Sequence, residues 1–385
     1  MTSPSAPSGG IFVALSGAFA IAAGIGIGRF IYTPILPPMM EALSLSKADA
    51  GLIASANFAG YLCGAIVAAA ARLPGSRRGW LLGAMLASAL TTAGMGLAAG
   101  MPGFLALRFA GGLASALVMI LASALVLETL GRAGRGGLAA LFFSGGGIGI
   151  TASAGMVAAL LHAGYGWTAL WFAGGALSLL AIFAVMPLIS VPPPPPVGGP
   201  VPAVAEAGQV GGPMARLVGA YFLFGFGYVI TATFMVAIVR GTPAIQPLEP
   251  VIWIVVGIAA TPSVALWSWL ARRFDTSTGF ALAAITEAVG VMASVAWPSM
   301  IGIIVAAVLL GGTFMGLVAL GLIRARELAV GDPRRAIACV TGAFGIGQII
   351  GPVFAGVLAD RLGDLSAASY SAAAGLVIAA VLVRR

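Results

Sequence analysis

Long apolar runs separated by short polar breaks recur from one end of the chain to the other. They lie at 11–38, 48–71, 79–99, 102–130, 136–161 and 165–188, then at 214–239, 250–271, 277–296, 298–323, 334–358 and 366–383. A helix needs about 20 apolar residues to cross the hydrocarbon core, so the pattern predicts about twelve membrane helices. Between the sixth and seventh runs, residues 189–213 carry the stretch Pro192 to Pro196. Consecutive prolines favour an extended chain and have no N–H to donate. The expected organisation is therefore a six-helix bundle at 1–188, a linker at 189–213 and a second six-helix bundle at 214–385.

Composition narrows the environment. The chain is 60% hydrophobic and 8% charged, with a mean hydropathy of +1.09. A soluble domain carries roughly a quarter charged residues, so the partner this surface calls for is a lipid bilayer. The net charge of +8 does not indicate nucleic acid, because the cations sit in short loops between apolar runs. Arg72, Arg77, Arg78, Arg132, Arg135, Arg216, Arg272, Arg273, Arg324, Arg326, Arg334, Arg335, Arg384 and Arg385 fall on one side of the predicted bundle. Only Lys47, Arg240 and Arg361 fall on the other. The positive-inside rule makes the Arg-rich side cytoplasmic, with both termini and the linker on it. The expected location is a bacterial inner membrane, and no removable signal is expected at the N-terminus. Cys63 and Cys339 have no metal-ligand or redox spacing, and there is one histidine, His162. No metal, cofactor or enzymatic activity is expected, and the chain reads as a monomer.

A repeat relates the two sets of runs. Adding 200 maps Ala71-Arg72 onto Ala271-Arg272, Gly111-Gly112 onto Gly311-Gly312, Leu117-Val118 onto Leu317-Val318, Arg135 onto Arg335, and Gly145 and Gly147 onto Gly345 and Gly347. An even number of spans per repeat gives both halves the same orientation. The expected fold is thus all-α and integral to the membrane, with parallel pseudo-two-fold symmetry and a site between the halves.

The segment Gly24-Ile-Gly-Ile-Gly-Arg-Phe-Ile-Tyr-Thr-Pro-Ile-Leu-Pro-Pro-Met39, with this repeat, resembles the YbfB/YjiJ-type family of the major facilitator superfamily. The loop Ala71-Arg-Leu-Pro-Gly-Ser-Arg-Arg78 keeps the glycine and the basic end of that superfamily's motif between helices two and three, but not its aspartate. Arg108 followed by Gly112 matches the fourth-helix motif. The Gly-Pro motif that drug antiporters carry on helix five appears here on helix eleven, as Gly347-Gln-Ile-Ile-Gly-Pro352. The resemblance implies transport by alternating access, with helices one and four of each half lining the cavity.

Charges inside membrane helices cost about 2.5–3.5 kcal/mol each at central positions, which makes the few present here candidates for function. Arg29 lies about 27 Å along the first run at 1.5 Å per residue, and Arg108 near the outer start of the fourth. An arginine fork donates two parallel hydrogen bonds to a carboxylate, so the pair predicts a site for a small organic anion. The repeat places Val229 and Val308 at the equivalent positions, so these charges belong to one half only. Tyr32, one turn from Arg29, joins the candidate site, with Asn57 and Tyr61 on the second run, Tyr228 on the seventh and Gln348 on the eleventh. Glu287 is the one acid deep in a run; a carboxyl in hydrocarbon is neutral or paired, so it is the candidate for a coupling proton. Gly112, Gly147, Gly347, Gly351 and Pro352 are expected to serve helix packing and gating. Pro34, Pro37 and Pro38 are expected to bend or end the outer tip of the first helix. Glu128 is expected to pair with loop arginines. The rival readings are a proton-driven drug or metabolite efflux pump and a membrane receptor; short termini and linker leave the latter no signalling domain.

Overall fold

The computed structural model describes residues 8–70, 75–190, 211–330 and 333–384. Pro192 to Pro196 of the expected linker, Arg72 of the loop motif and Arg385 lie outside these residues. The chain is all-helical, with no strand among the described residues. Among the described residues ten helices are long and apolar enough to cross a membrane, and eleven when the pair Gln246–Ala260 and Ser263–Arg273, bent by 42°, is counted as one span. The third position of the first set is filled by the helix Arg77–Gly94, of 18 residues.

The first span is built from α1 (Ser8–Ile21), a π-helical turn (Ala22–Ile27) and α2 (Tyr32–Leu43). It is followed by α3 (Lys47–Ala70), α4 (Arg77–Gly94), α5 (Gly100–Arg132), α6 (Ala139–His162) and α7 (Trp167–Ser190). The second set comprises α8 (Gly212–Gly241), the bent span α9 (Glu249–Ala260) and α10 (Ser263–Arg273), α11 (Thr276–Ala296), α12 (Met300–Glu327), α13 (Pro333–Leu362) and α14 (Ser366–Arg384). Helix starts carry local caps. Ser76 accepts from the Gly79 N–H, Asp275 from Thr278 and Ser299 from Gly302, each at 2.8–3.0 Å.

Within each set, glycines let backbones touch, as expected where lipid supplies no hydrophobic drive between helices. A Cβ at Gly112 would overlap the Asn57 carbonyl of α3, and one at Gly311 the Val256 carbonyl of α9. Four other residues expected in packing and gating also sit at close approaches. Gly147 meets Thr261, Gly347 and Gly351 meet α8, and Pro352 presents its carbonyl to Gly51. The expected ion pair of Glu128 is formed with Arg77 at 3.5 Å.

The prolines of the first span act differently from the expectation. Pro37 and Pro38 lie inside α2, and the interruption falls upstream of them, at 22–31. A proline cannot donate to the carbonyl four residues back, and its ring crowds that carbonyl. Pro34 therefore disturbs the helix at Phe30, and the irregular stretch extends N-terminally from there through the glycines at 24, 26 and 28. The outer tip continues as helix until Ser44, whose φ of 53° caps it.

The two sets meet tightly at the helix ends opposite the chain termini. Along α3 and α13, Gly51 lies against Pro352, Ser55 donates to the Ile349 carbonyl at 2.6 Å, and Leu62 covers Gly345. Thr33 donates to the Ala232 carbonyl at 2.7 Å, and Arg240 binds Glu41 at 2.5 Å. The two halves are closed against one another at that end.

Candidate functional site

The interruption of the first span leaves main-chain carbonyls without the usual helical donors, and buried carbonyls of this kind are costly unless partnered. Arg108 on α5 supplies two of the missing bonds. Its Nη1 donates to the Gly28 carbonyl and its Nη2 to the Arg29 carbonyl, both at 3.2 Å. Trp253 on α9 adds a second donor to the Phe30 carbonyl, its indole N–H at 3.1 Å beside the Thr33 N–H at 3.3 Å. Asn57 in turn donates to the Arg108 carbonyl at 2.9 Å. Arg108 is 4% exposed and lies over the Tyr32 ring at 5.0 Å.

Arg29 is held quite otherwise. It is 8% exposed, and its guanidinium lies between the rings of Phe58 at 5.0 Å and Tyr61 at 4.1 Å. These faces attract a cation through the ring quadrupole, but its Nε and Nη2 have no hydrogen-bond partner. No carboxylate pairs with it among the described residues. Both arginines border one void of about 10 Å³, together with Tyr32, Thr33, Phe58 and Thr233. That is room for roughly one water molecule. Counting 1.5 Å per residue from the helix ends opposite the chain termini, the void lies roughly 10–16 Å below them.

A second layer lies deeper, about 20 Å from the same ends of α8, α12 and α13 by the same rise. Tyr228 and Gln348 share a hydrogen bond there. The Tyr228 ring stacks on Phe344 and Phe314, with planes 1° and 4° apart. Phe314 also meets Phe30 at 5.7 Å, so rings continue from the midplane up to the residue beside Arg29. Tyr32 is tied within its own half, donating to the Ala50 carbonyl at 2.8 Å.

Glu287 is fully buried, away from this void. Its Oε2 lies 3.1 Å from the Thr313 hydroxyl on α12, and its Oε1 has no partner. The neighbouring residue, Phe314, belongs to the ring layer below Arg29. No group of His, Cys, Asp or Glu suited to a metal occurs among the described residues.

The expected residues thus fall into separate arrangements. Arg29 and Tyr61 form one contact, Arg108 and Asn57 support the backbone, Tyr228 and Gln348 form a deeper pair, and Glu287 stands apart between α11 and α12. Of the two arginines bordering the void, Arg108 has both terminal nitrogens on carbonyls and only Nε unpartnered, whereas Arg29 leaves Nε and Nη2 unpartnered. Phe58, Thr33 and Trp253 were not anticipated. No spacing marks them, although a tryptophan within an apolar run is a residue whose N–H needs a partner.

Helices packed in two sets around a polar break at the interface define a transporter of the major facilitator superfamily. The fold agrees with solved structures of that type. A mutant of the nucleoside transporter NupG superposes with a TM-score of 0.75 at 13% identity, covering 97% of this chain and 99% of that one. A bacterial homologue of the human lysosomal transporter Spinster, in an inward-facing and occupied conformation, gives 0.67 at 16% identity over 97% and 95%. The chain belongs to the family described as "Uncharacterised MFS-type transporter YbfB", whose model matches residues 21–384. No curated protein matches it in sequence.

Proposed function

We propose that the protein is a secondary transporter of a small organic anion, most simply a carboxylate, acting by alternating access in a bacterial inner membrane with both termini cytoplasmic. The observation that carries this reading is Arg29, a buried cation with two unpartnered donors and no acid beside it. A desolvated charge of this kind is costly to keep, and a carboxylate would supply both the countercharge and the missing acceptors. The rings of Phe58 and Tyr61, with the layer at Tyr228, Phe314 and Phe344, suit the apolar body of such an anion. Glu287, linked to the Arg29 level through Thr313 and Phe314, is the proposed carrier of a coupling proton. Export of cationic drugs is the weaker reading, since such a substrate favours an acid at the site and Glu287 faces Thr313.

The test is thermal stabilisation of purified protein against carboxylates, amines and cationic amphiphiles. Carboxylates should raise the melting temperature of the natural protein and leave that of Arg29→Gln unchanged. Stabilisation by cationic amphiphiles alone would overturn the anion reading in favour of the pump.

A further inference from the structure

The start of α3 on the outer surface has an unusual set of partners. Four N–H groups at a helix start lack intrahelical acceptors. Ser46 and Asp49 answer one of them within the chain segment itself. The Asp49 N–H donates to Ser46 Oγ at 3.0 Å, and the Asp49 carboxylate accepts from the Ser46 N–H at 3.1 Å. This reciprocal arrangement is a capping box. It leaves the N–H groups of Lys47 and Ala48 open, and both are taken by a residue more than three hundred positions away. Asp360, near the end of α13, accepts from Lys47 N at 3.0 Å through Oδ1 and from Ala48 N at 2.8 Å through Oδ2. Lys47 returns the contact, its Nζ donating to the Gly363 carbonyl at 2.8 Å. Gly356, one turn below Asp360, is what allows this approach, because a Cβ there would overlap the Lys47 backbone.

We infer that Asp360 is the outer latch of the transport cycle, a carboxylate from one half that completes the helix cap of the other. A capping residue in the same chain segment moves with its helix. Asp360 does not, so these two bonds exist only while the halves are closed on the outside. A carboxylate is also favoured at a helix N-terminus by the helix dipole. Parting the outer ends breaks three hydrogen bonds at once, and the in-chain capping box keeps α3 helical while they are broken. The device therefore biases the equilibrium between outward-open and outward-closed states without unfolding either. It makes no use of Arg29 and stands whether or not the substrate is an anion.

The test uses the full-length protein with Cys63→Ser and Cys339→Ser and a single reporter, Thr233→Cys, at the buried void below the latch. Alkylation by a membrane-impermeant maleimide added from the outer side reads how often the outside opens. Asp360→Ala removes two charge-assisted bonds and should raise the labelling rate at least roughly tenfold, the scale of losing one alone. Asp364→Asn removes a nearby charge outside the latch and should leave the rate unchanged. Lys47→Pro offers a second route, since proline suits the first helical position yet removes one donor and the Nζ contact together. It should raise labelling while the capping box stands. Labelling unchanged in both latch variants, with each accessible after denaturation, would overturn the inference. An equal rise in Asp364→Asn would do so too, by showing a general surface-charge effect.

Discussion

Arg29 and Arg108 are the same residue type, buried to a similar degree, bordering the same void, and they should respond oppositely to one substitution. Arg108 holds two carbonyls that the helix cannot satisfy. Replacing it with Met leaves those acceptors buried and open, at about 1–3 kcal/mol each, and the melting temperature should fall by several degrees. Arg29 contributes charge without a hydrogen-bonded countercharge. Met in its place keeps an unbranched chain against Phe58 and Tyr61 and removes a desolvated cation, so Arg29→Met should match or exceed the natural protein in stability while losing carboxylate-induced stabilisation. Residues kept at a cost to stability mark function. Calorimetry or dye-based melting of the two variants, without ligand, measures the contrast. A large drop in stability for Arg29→Met would show that the ring contacts alone account for the residue.

At the scale of the element, the interrupted first span governs the site. Its π-helical turn and the irregular stretch after it lower Arg29 toward the interface and turn carbonyls outward to neighbours in both halves. Trp253 is the neighbour from the other half, and its bond to the Phe30 carbonyl bridges the two halves in this closed arrangement. Trp253→Phe retains the ring packing against Phe30, 6.3 Å away, and removes the donor. It should therefore shift the protein toward the outward-open state and cost roughly 1–2 kcal/mol of stability in the closed one. The same maleimide assay at Thr233→Cys reports the shift; an unchanged rate would mean that water replaces the indole without penalty. This element also marks the limit of what the sequence discloses. The apolar runs show every span to within a few residues, because a membrane helix is written directly in its composition. Arg29 and Arg108 stand out for the same reason, as charges in apolar runs. Nothing in the pattern separates a guanidinium bound to carbonyls from one left open, since that depends on where Pro34 disrupts the helix and on which neighbours arrive there. Asp360 was equally hidden, because a lone acid near a helix end looks like any surface residue until α3 is packed beside it.

For the whole molecule, the seam of α3 and α13 is where closure is decided. The contacts run antiparallel along it, from Lys47 with Asp360 through Gly51 with Pro352 and Ser55 with Ile349 to Leu62 with Gly345. Packed interfaces of this kind switch between discrete arrangements instead of deforming continuously. Gly51 is the tightest test of it, because a Cβ there would enter the space of the Pro352 carbonyl, and neither backbone has a side chain to move aside. Gly51→Leu should hold the outer ends of the helices apart while leaving each half folded, since the substitution faces the other half. Spin labels at Ser44→Cys and Gln246→Cys, on exposed outer positions of opposite halves, report that separation. With Cys63→Ser and Cys339→Ser in both proteins, their mean distance should lengthen relative to the same labels with Gly51 intact, and net transport should stop because the return to the outward-closed state is blocked. A longer distance with undiminished transport would show that the seam opens without governing the cycle. An unchanged distance would place the pivot elsewhere, at the contact of α6 with α9, where Gly147 meets Thr261 and Gly257 meets Thr151.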